Sequence, residues 1–453
     1  MIAGFDYGTS NCALSTFSLN TTSAVPLDDN SHYLPSLVYA ECREAIVEFV
    51  AKHIPPAEQA QYQLNRAPLL RLASKFRAEN GITDDESILH FGAKAMKEYV
   101  YTPTEGFFAK SPKSFLGSGG LSDAHISFFE DIVTAMMLHV NNRSQQHIGD
   151  DITDVVIGRP VNFSNLDAEA GNRQAINILT AAAKRSGYKN VEFLYEPLAA
   201  GLAFEKNLQA DKLVLVLDIG GGTTDCSMMH MGPSFCDKKD RTADFLAHCG
   251  IRIGGNDLDI QLAAKAFMPL MGMNCSIKDN LPMPTQYYWD AIRINDVNAQ
   301  ARCYSADNIR KVQELAKTVS EPALYSRFTH MLTHKKNFSV IKSSEQAKIA
   351  LSSNAQYTAS LDSIESELAT VIHQRDLEEA VEKPLQLIMQ LLAQSVSQAG
   401  KSPDLVFITG GSGQSPIIRA AVNAYFGDID IVDGDHFGSV VTGLAQWAGD
   451  IYK

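Results

Sequence analysis

The chain has 453 residues, of which 45% are hydrophobic and 20% are charged, and its formal net charge is −13. This composition is that of an ordinary globular protein, and the length allows roughly three domain-sized units with large cores. The acidic balance argues against broad binding to nucleic acids or to anionic membrane surfaces. We therefore expect a protein that uses neither as a partner.

The N-terminal residues and the cysteines indicate a compartment. The start, MIAGFDYGTSN, has no basic region, and Asp6 interrupts its short apolar run, so we do not expect a signal peptide. No segment approaches the roughly 18 uncharged apolar residues of a membrane span. The seven cysteines are scattered without any CxxC pair, which is typical of reduced thiols rather than of disulfides or a zinc site. These features predict a cytoplasmic protein, which we expect to be a monomer.

The first predicted element is a strand that ends at a carboxylate and a polar turn. Residues 2–5 are followed by Asp6, then by Gly8, Thr9, Ser10 and Asn11, and residues 12–17 suit a returning strand. A glycine turn lets backbone N–H groups converge on an anion, and the hydroxyls add donors. One such motif is weak by itself.

The next region is mixed. LPSLVYA from Leu34 predicts a strand, and residues 46–81 look helical with a break at Pro55 and Pro56. Residues 91–117 end in the lysine-rich stretch FFAKSPKSFLG. From these residues alone, Lys113 is either a solvated loop lysine or a cation that reaches a phosphate.

Strands then alternate with helices. Residues 122–142 predict an amphipathic helix with Ser122 as its N-cap. A strand at 154–160, a helix at 168–187 and a strand at 191–195 follow, and Glu196 and Pro197 open another helix. This order favours an α/β layer with a largely parallel sheet. Glu196 either interacts with the dipole of its helix or reaches a water molecule in a cleft.

The stretch LVLVLDIGGGTTD, residues 213–225, repeats the N-terminal pattern with a stronger turn. Asp218 follows five apolar residues, and Gly220, Gly221, Gly222 and Thr223 come next, before a returning strand at 226–231. A carboxylate beside an anion-binding turn usually implies a cation, most often magnesium on a phosphate. The alternative is a glycine hairpin with an incidental Asp. Because Asp6 and Asp218 lie 212 residues apart, the repeat is of half-chain scale, and the two hairpins could grip a polyphosphate from both sides.

The remaining chain supplies further polar candidates. A turn at 250–257 leads to a helix from Leu258, residues 268–342 are irregular in pattern and look inserted, and residues 343–353 predict a short helix. That helix carries Glu345, Lys348 and Ser352 on one face, which is either a surface face or a row of groups aimed at a ligand. The later predicted elements are a helix at 376–400, a strand at 405–409, a glycine turn at 410–413, a helix from Pro416 and a last helix at 438–452. A glycine turn between strand and helix suits close approach of a nucleotide's sugar or base.

Taken together, five ordered motifs resemble the nucleotide-binding domain of the DnaK-type heat-shock chaperones, a branch of the actin and hexokinase superfamily. The motifs are FDYGTSN, FFAKSPKSFLG, YEPLAAGLAF, LDIGGGTTD with IGGNDLD, and EQAKIALSS followed by TGGSGQSP. The likeness covers nearly the whole chain and is greatest to bacterial members without a substrate-binding domain. It implies an α/β, two-lobed actin-like ATPase fold, each lobe a ribonuclease-H-like mixed sheet with helices. Lobe I would be 1–208 plus 431–453 with an inserted subdomain at about 41–122, and lobe II 209–430 with one at about 254–372.

The resemblance also implies roles. ATP or ADP with Mg²⁺ would be the ligand, and Asp6 and Asp218 would hold the metal through its waters, with Asp225 in support. Lys113 would face the γ phosphate and orient the attacking water, and Glu196 would accept that water's hydrogen bond. The phosphates would meet donors from Thr9, Ser10 and Asn11 and from Gly220, Gly221, Gly222 and Thr223. Gly8, Gly254 and Gly255 would be further nucleotide-binding residues. The adenosine would meet Glu345, Lys348, Ser352, Gly410, Gly411 and Gln414.

Two positions depart from the family pattern. Gln414 stands where relatives have an Arg that stacks on adenine, and Ile349 stands where many have a second basic residue. Loss of a planar cation weakens base stacking by about 1 kcal/mol, or several-fold in affinity. We therefore expect phosphate binding to be better preserved than adenine selectivity.

These observations favour a slowly hydrolysing, chaperone-like ATPase. The alternative is a nucleotide-gated partner-binding module, a pseudo-ATPase, that recruits an unknown protein through residues 254–372. A small-molecule kinase of the same superfamily fits less well, since Glu196 suits a water better than a substrate hydroxyl. No motif supports filament formation.

Overall fold

The computed structural model describes residues 1–452 apart from 30, 103, 166, 237, 239–240 and 435–437. The chain divides into two compact units. The larger unit comprises Met1–Arg252, Ile388–Gln414 and Ala421–Lys453, and the smaller one comprises Ile253–Leu387 and Ser415–Ala420.

In this part of the chain the strands are β1 Ile2–Tyr7, β2 Asn11–Ser18, β3 Thr21–Ala24, β4 Tyr33–Pro35, β5 Leu37–Ala40, β6 Leu89–Phe91, β7 Phe107–Lys110, β8 Asp154–Arg159, β9 Asn190–Tyr195, β10 Lys212–Ile219, β11 Thr224–Met231, β12 Phe245–Ile251, β13 Gln356–Ser360, β14 Ala369–His373, β15 Leu405–Thr409 and β16 Asp430–Asp433. The helices are α1 Ala45–His53, α2 Pro56–Asn80, α3 Gly92–Tyr101, α4 Asp123–Ile148, α5 Ala168–Arg185, α6 Glu196–Glu205, α7 Gly255–Ala266, α8 Gln286–Ile292, α9 Val297–Cys303, α10 Ala306–Leu315, α11 Pro322–Thr333, α12 Asn337–Leu351, α13 Gln374–Ala399, α14 Pro416–Phe426 and α15 Gly438–Ile451.

Two sheets of the larger unit repeat one topology. The first has the strand order β3-β2-β1-β8-β9, with β4 also paired to β2, and the second has the order β12-β11-β10-β15-β16. In each sheet the central strand, β1 or β10, pairs antiparallel with the next strand of the chain and parallel with a strand much later in the chain. This repeat confirms the predicted α/β class and the actin-like mixed sheets.

A shared hydrophobic core connects the two sheets through α6 and α15. Its buried members come from both sheets and from these two helices, among them Val156, Val216, Leu198 and Leu444. The helices approach closely because Gly443 has no side chain: a Cβ there would collide with the Ala199 carbonyl. Burial of this kind contributes most of the stability of such a fold. The core therefore fixes the start of α6, and with it Glu196, relative to both central strands.

Sequence patterns located most elements of the larger unit. The predicted strands and hairpins at 2–17, 154–160, 191–195 and 213–231 are present with small shifts at their ends. The helix after residue 122 starts as expected, with the Ser122 hydroxyl accepting from the His125 N–H, but it continues to Ile148. The predicted strand over 34–40 is wrong in one respect, because it is two strands that separate at Ser36 and join different sheets.

The smaller unit is mostly helical. Residues 268–342, which looked irregular, contain α8 to α11 and the start of α12. The predicted short helix at 343–353 is the second half of α12, which begins at Asn337. Strands β13 and β14, which the sequence did not indicate, form an antiparallel hairpin after it. The lobe and subdomain boundaries given above stay a prediction.

No helix of the described residues combines the length and the apolar character that crossing a membrane requires.

Candidate functional site

Two hairpin turns of the same design contact each other in the larger unit. Asp6 lies opposite Ala13 at the end of β1, and Asp218 lies opposite Asp225 at the end of β10. In the second turn the Gly220 N–H donates to the Thr223 carbonyl at 3.0 Å. Each central strand, β1 or β10, thus places one carboxylate beside a turn.

Glycines let the two turns approach each other. A Cβ on Gly221 would collide with Ser10 Oγ, and a Cβ on Gly222 would stand 2.8 Å from Thr9 Cγ2. In the first turn a Cβ on Gly8 would collide with the Asn11 carbonyl. The structure therefore brings together the predicted residues of both turns: Gly8, Thr9, Ser10, Asn11, Gly220, Gly221, Gly222 and Thr223.

Lys113 and Glu196 meet beside these turns as a buried ion pair. The Lys113 ammonium donates to Glu196 Oε1, and only 4% and 11% of the two side chains are exposed. Burial lowers the pKa of Lys113, but the Glu196 charge, helped by Asp6, outweighs it and the net shift is upward. Lys113 is therefore not a solvated loop lysine.

The nearby carboxylates outnumber this one ammonium group. Burial raises the pKa of Asp6 to about 7 and that of Asp225 to about 8, and the Glu196 charge adds to both rises. Burial likewise raises the pKa of Asp218 well above its ordinary value, with Glu196 and Asp225 adding to it. Lys113 opposes all three shifts. Such a cluster favours either protons or a bound cation.

Ser36 connects the turn that carries Lys113 to the first hairpin. Its hydroxyl donates to the Gly8 carbonyl at 2.7 Å, its N–H donates to the Ser10 carbonyl at 2.8 Å, and its carbonyl accepts from the Ser111 N–H at 2.9 Å. Ser111 is buried and has a left-handed backbone with φ 58°. Non-glycine residues rarely adopt this conformation, and it persists where surrounding contacts impose it. These bonds fix the turn that carries Lys113.

The loop after β8 holds Asp225. The Val161 N–H donates to Asp225 Oδ1 at 2.7 Å, and Asn162 Nδ2 donates to the Gly250 carbonyl at 3.0 Å. A Cβ on Gly250 would collide with Asp225 Oδ1. Asp225, predicted to support a metal site, is therefore anchored by backbone rather than by a salt bridge.

Arg159 precedes this loop and was not predicted. Its guanidinium lies 4.9 Å from the Tyr195 ring centroid and donates to the carbonyls of Pro160 and Val161. Its side chain faces a neighbouring strand that ends just before Glu196. No motif in the sequence had singled out this arginine.

The candidate adenosine residues belong to both units. In the smaller unit Lys348 Nζ pairs with Asp259 Oδ1 at 2.8 Å and donates to the Gly255 carbonyl at 3.2 Å. Glu345 is half-buried on the same helix, and Ser352 lies just after its last residue. Gly254 precedes α7, and its N–H donates to Asp257 Oδ2 at 2.8 Å.

In the larger unit, the turn after β15 carries the other set. Gly410 is buried with φ +81°, and a Cβ there would collide with the Ile219 carbonyl and stand 2.5 Å from Asp218 Oδ1. Gly411 and Gln414 are exposed. The turn is tied to the second hairpin, since Ser412 Oγ donates to the Gly220 carbonyl at 3.2 Å.

The residues suit a nucleotide with its metal. The glycine turns leave backbone N–H groups accessible to phosphate oxygens, and the excess of buried carboxylates favours a divalent cation. Among the described residues, no group of three His, Cys, Asp or Glu side chains could hold a metal ion directly.

Two paired hairpins on repeated sheets define an actin-like ATPase fold of the Hsp70 type. Residues 122–268 match the family model described as Hsp70 protein. The chain is also similar to a chaperone protein HscA homolog of Pseudoalteromonas atlantica, with 23% identity over 62% of this chain and 39% of the relative. A second chaperone protein HscA homolog, from Shewanella putrefaciens, is 21% identical over 98% of this chain and 57% of the relative.

One segment of the chain thus matches the Hsp70 family model, and the chain is similar to these two chaperone proteins. It spans about two fifths to three fifths of the length of these curated relatives. The matched family segment includes Glu196 and the whole second hairpin, whereas Lys113 and the first hairpin precede it. The narrower likeness to bacterial members without a substrate-binding domain stays a prediction.

Proposed function

We propose that this protein binds ATP with Mg²⁺ and hydrolyses it slowly, as a chaperone-related ATPase of the cytoplasm. The observation that carries the proposal is the buried Lys113–Glu196 pair beside two glycine hairpins, each with a carboxylate at the end of its central strand. The family match and the chaperone names of the relatives support it.

The residues of the two hairpins bind the phosphates. Backbone N–H groups of residues 8–11 and 221–223 face the phosphate oxygens, and the hydroxyls of Thr9, Ser10 and Thr223 add donors. Asp6 and Asp218 hold Mg²⁺ through its waters, with Asp225 in support. When bound, the metal neutralises charge on the β and γ phosphates.

Lys113 and Glu196 act on the attacking water. Lys113 donates to it and places it in line with the γ phosphate, while Glu196 accepts one of its hydrogen bonds. Both side chains are held by their mutual contact and by the core around α6, so they are positioned before the ligand binds. Positioning and charge neutralisation supply most of the acceleration in such phosphoryl transfers.

In the smaller unit the proposed adenosine contacts are Glu345, Lys348 and Ser352. In the larger unit they are Gly410, Gly411 and Gln414. Lys348 already pairs with Asp259, so it presents to the ligand a positive charge that is partly neutralised. With Gln414 in place of the stacking Arg, selectivity for adenine over other bases is modest. The lobe boundaries predicted from the sequence belong to the same proposal.

Binding is tested by calorimetry with ATP in the presence and absence of Mg²⁺. Asp218→Asn should weaken ATP binding only when Mg²⁺ is present, because the lost charge acts through the metal. Asp150→Asn, at an exposed position between α4 and β8, is the control and should bind as wild type does. Equal Mg²⁺ dependence in Asp218→Asn and wild type would exclude the assigned metal role.

The alternative is a pseudo-ATPase that binds a protein partner when nucleotide is bound. The existing Lys113–Glu196 pair favours it in one respect, since both groups are already satisfied without a water. Residues 254–372 are the proposed partner surface. Measurable ATP affinity without hydrolysis above the background rate would support this alternative.

A further inference from the structure

Ser114 follows Lys113 and has no role in the proposed binding and hydrolysis of ATP. Ser114 lies in a single 3₁₀ turn, Pro112–Phe115, and is 8% exposed. Its hydroxyl is buried and has no hydrogen-bond partner among the described residues. A buried donor without a partner is costly, so a native structure usually retains one for a reason.

The hydroxyl lies against the second hairpin. Ser114 Oγ would be 3.2 Å from a Cβ placed on Gly222, and Thr9 Oγ1 would be at the same distance. Residues of both phosphate turns therefore lie beside this hydroxyl. Its sequence neighbour is Lys113, whose ammonium pairs with Glu196.

The backbone of Ser114 is fixed on both sides. Its N–H donates to the Ser111 carbonyl at 2.9 Å, and its carbonyl accepts from Arg252 Nη2 at 2.9 Å. The Arg252 backbone is held in turn, since its N–H donates to Asn165 Oδ1 at 2.6 Å. These bonds fix the backbone of the turn that carries the hydroxyl.

We infer that Ser114 is a further ligand-contacting residue, whose hydroxyl donates to the terminal phosphate of a bound nucleoside triphosphate. This inference rests on the proposed function, because it needs a phosphate in the site. A hydroxyl that lies against the two glycine turns complements an anionic oxygen, and a bond to a charged acceptor is stronger than one to a neutral acceptor. The terminal phosphate is the group nearest to the Lys113–Glu196 pair in that arrangement.

The test compares Ser114→Ala with Ser395→Ala by calorimetry in Mg²⁺, with ADP and with a non-hydrolysable ATP analogue as the two ligands. Ser395 is a fully buried serine of α13 and controls for the loss of a buried hydroxyl. Ser114→Ala should bind the triphosphate about tenfold more weakly and ADP unchanged. Ser395→Ala should bind both as wild type does. Without ligand, Ser114→Ala should melt no lower than wild type, since its hydroxyl has no partner to lose.

Three results would overturn the inference. They are wild-type affinity of Ser114→Ala for the triphosphate, an equal loss for ADP and triphosphate, and a lower melting temperature without ligand. A wild-type protein that binds neither nucleotide would instead overturn the proposed function and the inference with it. Failure of the inference alone is therefore distinguishable from failure of both.

Discussion

Lys113 and Glu196, 83 residues apart in the chain, form an ion pair that is almost wholly removed from solvent. The charges around the pair are unequal, because the Glu196 carboxylate also raises the pKa of Asp6, Asp218 and Asp225. The ammonium group is thus shared by four carboxylates. Removal of the Lys113 charge should therefore change the free energy of unfolding by a very different amount from removal of the Glu196 charge.

We predict that Lys113→Met destabilises the ligand-free protein by about 3 kcal/mol, since it leaves the buried carboxylates without a cation. Glu196→Gln should cost much less, because it removes a charge that repels three others. The double variant should recover most of the loss. Denaturant unfolding at pH 7 measures all three, and equal losses in the two single variants would contradict this charge balance.

Gly410 should be far less tolerant of a side chain than another left-handed glycine. Alanine at either Gly410 or Gly427 requires the strained left-handed backbone, at about 1–2 kcal/mol. Gly427 faces open space, whereas Gly410 faces the Ile219 carbonyl and Asp218 Oδ1. We therefore expect Gly410→Ala to lose more stability than Gly427→Ala and also to weaken ATP binding with Mg²⁺. Matching unfolding midpoints for the two variants would show that the contact at Asp218 is unimportant.

The two hairpins were predicted more accurately from the sequence than the structure around them. Each hairpin is contiguous in the chain, so an apolar strand, an Asp and a glycine turn were sufficient to predict it. Ser36 could not be found this way, because its three bonds link Gly8, Ser10 and Ser111, whose contacts depend on how separate sheets meet. The bond from Arg252 to Ser114 spans 138 residues and has no local signal for the same reason.

The helices of residues 268–342 were missed for a different reason. Several are short, as α8 and α9 have seven residues each, and short helices carry few turns of hydrophobic periodicity. Their stability comes from tertiary contacts, such as Tyr288 stacking on Phe328 at 4.0 Å. Those contacts cannot be read from the sequence pattern of either helix alone.

His139 should make the protein sensitive to acid. Its ring stacks on Phe91, and burial, with a smaller effect of Arg143, lowers its pKa to about 4 while Asp28 opposes the shift. The unfolded chain takes up this proton near pH 6.5 and the folded chain only near pH 4. Stability is therefore complete above pH 6.5 and is lost as the pH falls between these values, by up to about 3 kcal/mol.

His139→Gln should remove that part of the acid sensitivity. Unfolding midpoints at pH 7, 6 and 5 measure it, with His147→Gln as the control, since His147 is exposed on the same helix. The control should show the same dependence of unfolding midpoint on pH as wild type. If His139→Gln follows it as well, the acid sensitivity has another source.

Arg241 holds a second buried charge network. It donates to Glu205 at 2.8 and 3.0 Å and to Asp244 at 2.8 Å. Arg241→Met should cost about 3–5 kcal/mol, because it leaves the buried Glu205 carboxylate without its charged partner and leaves Asp244 with Lys238 alone. Lys75→Met, which removes the exposed pair with Glu79, should change stability by less than about 0.5 kcal/mol. Thermal unfolding of both variants measures these losses of stability. A similarly small loss in each variant would contradict the prediction.

The central claim is that Lys113 and Glu196 promote hydrolysis of bound ATP. Its most direct test is single-turnover release of the γ phosphate by excess protein with Mg²⁺, comparing wild type with Glu196→Gln. We predict hydrolysis by wild type above the uncatalysed rate, and a loss of about 100-fold or more in Glu196→Gln with ATP still bound. Equal rates in the two proteins would contradict the claim.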